Sequence, residues 1–206
     1  MRKIAATYIF PGNGKPLKYG ILVCENDGTV VETIDSLGRL NEQSGLEFYN
    51  GILVPGFMNA RCYFELSHPK ELVSEKTEIE KFKSYPSGEN TFFVLCPHSN
   101  LFIENKLPPL DFFRRENITV CLGSNSQTLN SQFSIFAEML ILQQNFPELT
   151  LEELIKWACF NGARALKTDD CAGSFEKGKK PGVNLISGID FKNMKLTGNS
   201  RVKQLI

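Results

Sequence analysis

Along the first fifty residues, apolar β-branched and aromatic positions fall in short runs separated by turn-forming residues. Residues 3–10, 19–25 and 29–34 read as strands, with Pro11-Gly12-Asn13-Gly14 and Asn26-Asp27-Gly28 between them. Asp-Gly between β-rich runs is a hairpin signal, so a small antiparallel sheet is expected. Residues 51–66 continue as a buried strand whose polar members Asn59, Arg61 and Glu65 gather toward its end. From 68 to 90 the pattern turns charged, as a connector with one helix before Pro86. Two strands follow at 91–96 and 118–122, each leading into a polar stretch (PHSN, GSNS), with a short helix near 109–116 between them. Strands alternating with helices imply parallel βα units. Helical periodicity then covers 131–145 and 151–166, the second helix entered through Thr150 as N-cap with Glu153 at the capping-box position. The tail returns to turns and a short strand, and 183–206 are expected to rejoin the N-terminal sheet.

Composition narrows the partners. The 206 residues are 42% hydrophobic and 22% charged, a globular balance that excludes general disorder. Lys plus Arg equals Asp plus Glu at 23 each, so no long-range field would gather a nucleic acid or an anionic membrane. The first basic residues are followed by Pro11-Gly12, and no apolar run approaches the roughly 18 residues a membrane span needs. A soluble, cytoplasmic chain with no nucleic-acid or membrane partner is expected. The six cysteines (24, 62, 96, 121, 159, 171) include no CxxC pair and read as buried free thiols, four of them within strand-type apolar runs. Only His68 and His98 are present, which limits metal or proton-transfer chemistry.

In parallel α/β proteins the loops leaving the C-terminal strand ends carry the site. Around those ends the chain resembles the amidohydrolase superfamily, in its cytosine-deaminase-like and aminodeoxyfutalosine-deaminase-like branch. The resemblance rests on GILVPGFMNA (51–60), LCPHSNL (95–101), CLGSNS (121–126), WACFNGARAL (157–166) and GSFEKGK (173–179). It implies a β-sandwich built from both chain ends joined to a (β/α) barrel. A whole barrel takes about 250 residues, so the resemblance implies an internally shortened one. The expected fold class is therefore α/β: a small β-sandwich from 1–54 with 183–206, plus a barrel remnant of about three parallel strands with helices over 55–182. The connector at 68–90 replaces the missing strands.

The resemblance also locates departures from the family's site. Where such proteins carry His-x-His after the first barrel strand, this chain has Arg61-Cys62-Tyr63, and neither Arg nor Tyr is a neutral imidazole able to hold a metal. Where they carry Gly-Thr-Asp-Ser, it has Gly123-Ser124-Asn125-Ser126, and an amide cannot act as the base that the aspartate supplies. Arg61, Tyr63 and Asn125 are thus vestigial catalytic positions, with His98 the remaining catalytic candidate. Arg61, Glu65, His98, Asn100 and Asn125 are the binding candidates. His68, His98 and Glu65 are weak metal candidates, since two or three scattered donors underfill a zinc site. Cys62 or Cys96 with His98 is a further possible nucleophile and base pair, although no third group orients the histidine. Arg61 either holds an anion or pairs with Glu65. His98 otherwise serves as a hydrogen-bonded loop histidine. Ile135, Met139 and Leu142, and Leu154, Trp157 and Ala158, have core spacing, and Lys177-Gly-Lys-Lys180 is a solvated basic turn.

The expected function is a degenerate amidohydrolase-like protein without hydrolase activity or cofactor, acting as a binding or self-assembling scaffold. The alternative is a hydrolase of non-peptide C–N bonds using a Zn or Fe divalent cation at an atypical or subunit-shared site. A homodimer is expected, because a short parallel sheet leaves edges at 58–66, 91–96 and 118–122, and a small-molecule ligand is an open possibility.

Overall fold

The structure is a computed structural model that describes residues 1–41, 43–60, 92–124 and 135–206. Seven strands, β1 (Arg2–Ile9), β2 (Leu17–Lys18), β3 (Ile21–Cys24), β4 (Val30–Ile34), β5 (Leu46–Pro55), β8 (Val183–Ser187) and β9 (Arg201–Gln204), form one sheet. Its order is β4-β3-β1-β5-β8-β9, with β2 paired to β1. Both chain ends therefore meet in a single sheet rather than in two facing ones. The purely antiparallel reading of the first fifty residues is corrected at its centre, where β1 and β5 pair in parallel from Lys3↔Leu46 to Ile9↔Leu53. Parallel strands need a crossover rather than a hairpin, and the chain between β4 and β5 supplies it. Ile4, Ala5 and Ala6 are all fully buried, the unbroken apolar run of a central strand covered on both faces.

The remaining strands, β6 (Phe92–Leu95) and β7 (Thr119–Leu122), form a separate parallel pair in register from Phe92↔Thr119 to Leu95↔Leu122. Five helices accompany them: α1 (Pro97–Glu104), α2 (Leu110–Arg115), α3 (Ile135–Asn145), α4 (Leu151–Ala158) and α5 (Phe160–Ala165). A continuous core joins the two parts. Ile52, Val54 and Ile186 of the large sheet pack with Leu95, Leu122, Met139, Leu142, Leu154 and their neighbours. A second cluster, with Ile4, Leu22, Leu53, Phe175 and Val183, sits apart from it.

Three expectations change. The strand expected at 51–66 ends at Pro55 and belongs to the large sheet; 56–60 leave it, and 61–66 lie outside the described residues. Two parallel strands of the expected three are thus described. The turn away is tight: the Gly56 amide donates to the Pro181 carbonyl at 3.0 Å, and a Cβ at Gly56 would stand 2.3 Å from that oxygen. The stretch PHSN is helical, because Pro97 at the first helical position has the φ a helix needs and no amide to leave unsatisfied. The helix expected over 151–166 is two helices. The Met58 amide donates to the Ala158 carbonyl at 2.8 Å, and this outside donor coincides with the break at Cys159, where φ is −118° and ψ −79°. The Thr150 cap and its reciprocal bonds with Glu153 form as expected. The connector helix near Pro86 lies outside the described residues.

Candidate functional site at the parallel strand ends

The register of β6 and β7 sets their C-terminal ends side by side, and the Gly123 amide donates to the Leu95 carbonyl at 2.9 Å. Asn59 reaches this edge from the segment after β5. Its Nδ2 donates to the Ser124 carbonyl at 3.2 Å, while its Oδ1 accepts the Ser124 amide at 3.0 Å. One side-chain amide thereby satisfies both backbone groups of a residue only 3% exposed. Asn161 of α5 makes a similar anchor, its Nδ2 donating to the Val120 carbonyl at 2.7 Å. The Cys159 thiol points at the Pro55 carbonyl at 3.4 Å, and complete burial pushes its pKa up. These contacts tie the segments around β5, β7 and α5 into one frame.

His98 is half-buried in the first turn of α1 rather than in a loop, and its backbone amide donates to Glu138 Oε2 at 2.7 Å. Glu138, from α3, is 1% exposed. Burying a polar group costs free energy unless it is hydrogen-bonded, and the His98 amide satisfies one of the Glu138 oxygens. Sequence reading missed Glu138. The signal was available, since it is the only ionisable residue in the apolar run 135–142. Asn100 lies half-buried two residues on, its amide donating to the Cys96 carbonyl at 3.0 Å. Its Oδ1 is buried with no hydrogen-bond partner among the described residues.

Of the sequence candidates, the structure thus brings His98 and Asn100 to the strand ends. Arg61, Tyr63, Glu65, His68 and Asn125 lie outside the described residues, as does Cys62. Cys96 is buried at the N-cap of α1, whereas Cys171, expected to be buried, is exposed in the turn after α5. Cys121 is buried beside the Phe93 carbonyl, and burial, reinforced by Cys96, pushes its thiol up to about 12, which leaves almost no thiolate at neutral pH. The basic turn is not a free phosphate cradle: Lys179 pairs with Glu176 and donates to Ser174 at 2.9 Å, and Lys180 pairs with Asp27. No helix among the described residues is long and apolar enough to cross a membrane.

Known proteins give the strand ends a context. The amidohydrolase family model matches residues 21–205. The 5-methylthioadenosine/S-adenosylhomocysteine deaminase of Saccharophagus degradans is 32% identical over 108 residues, 49% of this chain and 24% of that protein. The 5'-deoxyadenosine deaminase of Methanococcus maripaludis is 26% identical over 166 residues, 76% of this chain and 36% of that protein. The chain therefore spans about a quarter to a third of the length of these curated relatives. Among solved structures, the aminofutalosine deaminase of Helicobacter pylori shares the fold with a TM-score of 0.59 at 12% identity, covering 95% of this chain and 93% of that one. The adenosine deaminase of Xanthomonas campestris, described with bound zinc, has a TM-score of 0.57 at 12% identity, covering 89% of this chain and 84% of that one.

The expectation of no cofactor is overturned by this family membership together with the zinc described in the Xanthomonas campestris protein. The described residues do not by themselves fit such an ion: among them no group of three or more His, Cys, Asp or Glu side chains could hold a metal. A zinc site needs three or four protein donors, and Glu138 beside the His98 backbone does not furnish them. With its match running across residues 21–205, through both sheets and the strand ends just described, the chain belongs to the amidohydrolase family.

Proposed function

We propose that this chain carries the chemistry of its family, hydrolysis of a non-peptide C–N bond with a divalent cation, zinc or iron, as cofactor. The observation that carries the reading is the family match across 21–205, with relatives of up to 34% identity named as deaminases or as imidazolonepropionase. The proposed substrate class is a 6-aminopurine nucleoside such as 5'-methylthioadenosine or 5'-deoxyadenosine. Such a cation would supply Lewis-acid chemistry if the undescribed residues or a second subunit hold it. Its ligands are proposed among the residues outside the described ones, with Glu65 and His68 as candidates, or from a second subunit. The strand-end residues Asn59, His98, Asn100 and Glu138 then shape the substrate's side of the site. We place the protein in the cytoplasm, with 1–54 and 183–206 as a supporting unit and 55–182 as the functional one.

A second reading is favoured by a specific observation in the sequence. Arg61, Tyr63 and Asn125 stand where the family pattern has two imidazoles and an aspartate. On this reading the chain is a homodimeric binding scaffold whose subunits meet through the edges of the parallel sheet. Protein purified without chelator separates the two. Zinc, iron, nickel and manganese are measured together with ammonia released from 5'-methylthioadenosine, S-adenosylhomocysteine and 5'-deoxyadenosine. The first reading expects stoichiometric metal and turnover that a chelator abolishes. Less than about a tenth of an equivalent of metal and no ammonia above background would overturn it.

A further inference from the structure

We infer that Glu138 is a positioning residue for the strand-end site, acting through the backbone of His98; this rests on the reading that the ends of β6 and β7 carry the site. The first turn of α1 cannot cap itself. Cys96 at the N-cap makes no side-chain cap bond, and Pro97 has no amide, so the His98 amide is the first donor in the helix that needs an outside partner. A Ser, Thr or Asp at position 96 would satisfy it locally. The carboxylate that does so comes instead from another helix, 40 residues away in sequence, and fixes the turn relative to α3.

Packing does not ask for that carboxylate. Ile135, Phe136, Met139 and Leu142 are buried on α3 around it, with Gln143 the one other buried polar residue of the helix, and an apolar side chain at 138 would join this core without burying a carboxyl group. What an apolar residue would not do is hold the His98 amide, and with it the start of α1, at a set distance from α3. His98 follows β6 by three residues, and β6 and β7 end side by side. The placement of the His98 Cα therefore sets where the imidazole is presented at the end of β6.

The chain has two histidines, so its proton NMR spectrum contains two imidazole Cε1–H resonances, assigned with His68→Ala. In the full chain, Glu138→Met should displace the His98 resonance by more than its linewidth. Glu138→Gln, which keeps an acceptor at the same reach, should hold the His98 resonance near its wild-type position while its weaker bond lets the His98 amide exchange about tenfold faster. A folded Glu138→Met with the His98 resonance unmoved would overturn the inference. Should Glu138→Met fail to fold, an unchanged exchange rate in Glu138→Gln would overturn it instead. A displaced His98 resonance in a protein whose wild type releases no ammonia would keep the positioning role and remove the C–N hydrolysis reading.

Discussion

Replacing Asn59 by Ala removes the side chain that bonds both backbone groups of Ser124. Asn59 bonds both the amide and the carbonyl of Ser124, at 3.0 and 3.2 Å, and Ser124 is 3% exposed. A buried donor or acceptor left without its partner costs about 1–3 kcal/mol. Two such groups bound the loss at about 2–6 kcal/mol, and because Asn59 itself is only half-buried, water entering its place brings the expected value to about 2–4 kcal/mol. Asn59→Asp tests the geometry further. The carboxylate still accepts the Ser124 amide but offers the carbonyl no donor, so it should not restore wild-type stability. Urea unfolding at neutral pH, followed through the single tryptophan, Trp157, which is buried in α4, gives both losses. Asn59→Ala within about 0.5 kcal/mol of wild type at unchanged m-value, or full stability in Asn59→Asp, would refute the double bond to Ser124.

Thr150→Ala breaks the capping box at the start of α4 and should lower stability by about 1 kcal/mol, read as a fall in urea midpoint. Acidification should destabilise the chain through three carboxylates. Hydrogen bonds from Arg2 to Glu47 and from Lys179 to Glu176 hold those two below the ordinary range; at Glu153 burial raises the pKa, but bonds from Thr150 and Arg114 outweigh it and hold it low as well. The folded state therefore binds fewer protons than the unfolded one. The stability these groups add is fully present above the unfolded value of about 4.3 and is lost as pH falls through their lower folded values. Melting temperatures from pH 7 down to 3 should fall in that window, with the fall reduced in Arg2→Met, and a flat profile would contradict the pairing.

The local grammar of the chain was readable. Thr150 and Glu153 announced their helix, Asn26-Asp27-Gly28 announced a hairpin, and the strands around 91–96 and 118–122 appeared where apolar runs met polar stops. What pattern alone did not carry were contacts made across the fold. The parallel pairing of β1 with β5 depends on a crossover that no local turn encodes. The break at Cys159 coincides with the Met58 amide donating to the Ala158 carbonyl, a contact 100 residues distant in sequence. His98 was found, but not its helical setting, because Pro97 reads equally as a loop residue and a first helical residue. Glu138 was passed over because helical periodicity was read for its apolar members and not for the one charge interrupting them. Arg61, Tyr63 and Asn125 drew attention through departure from a family pattern, which speaks to what they lack as ligands and not to what other residues supply.

The proposed function requires that this amidohydrolase-family chain bind a divalent cation and use it to hydrolyse a C–N bond. Metal analysis of the full chain purified without chelator, followed on the same sample by coupled measurement of ammonia released from 6-aminopurine nucleosides before and after metal removal, tests it most directly. The account predicts close to one equivalent of zinc or iron per chain and ammonia release that disappears with the metal and returns on its readdition. Metal-free protein that neither takes up added zinc nor releases ammonia would contradict it.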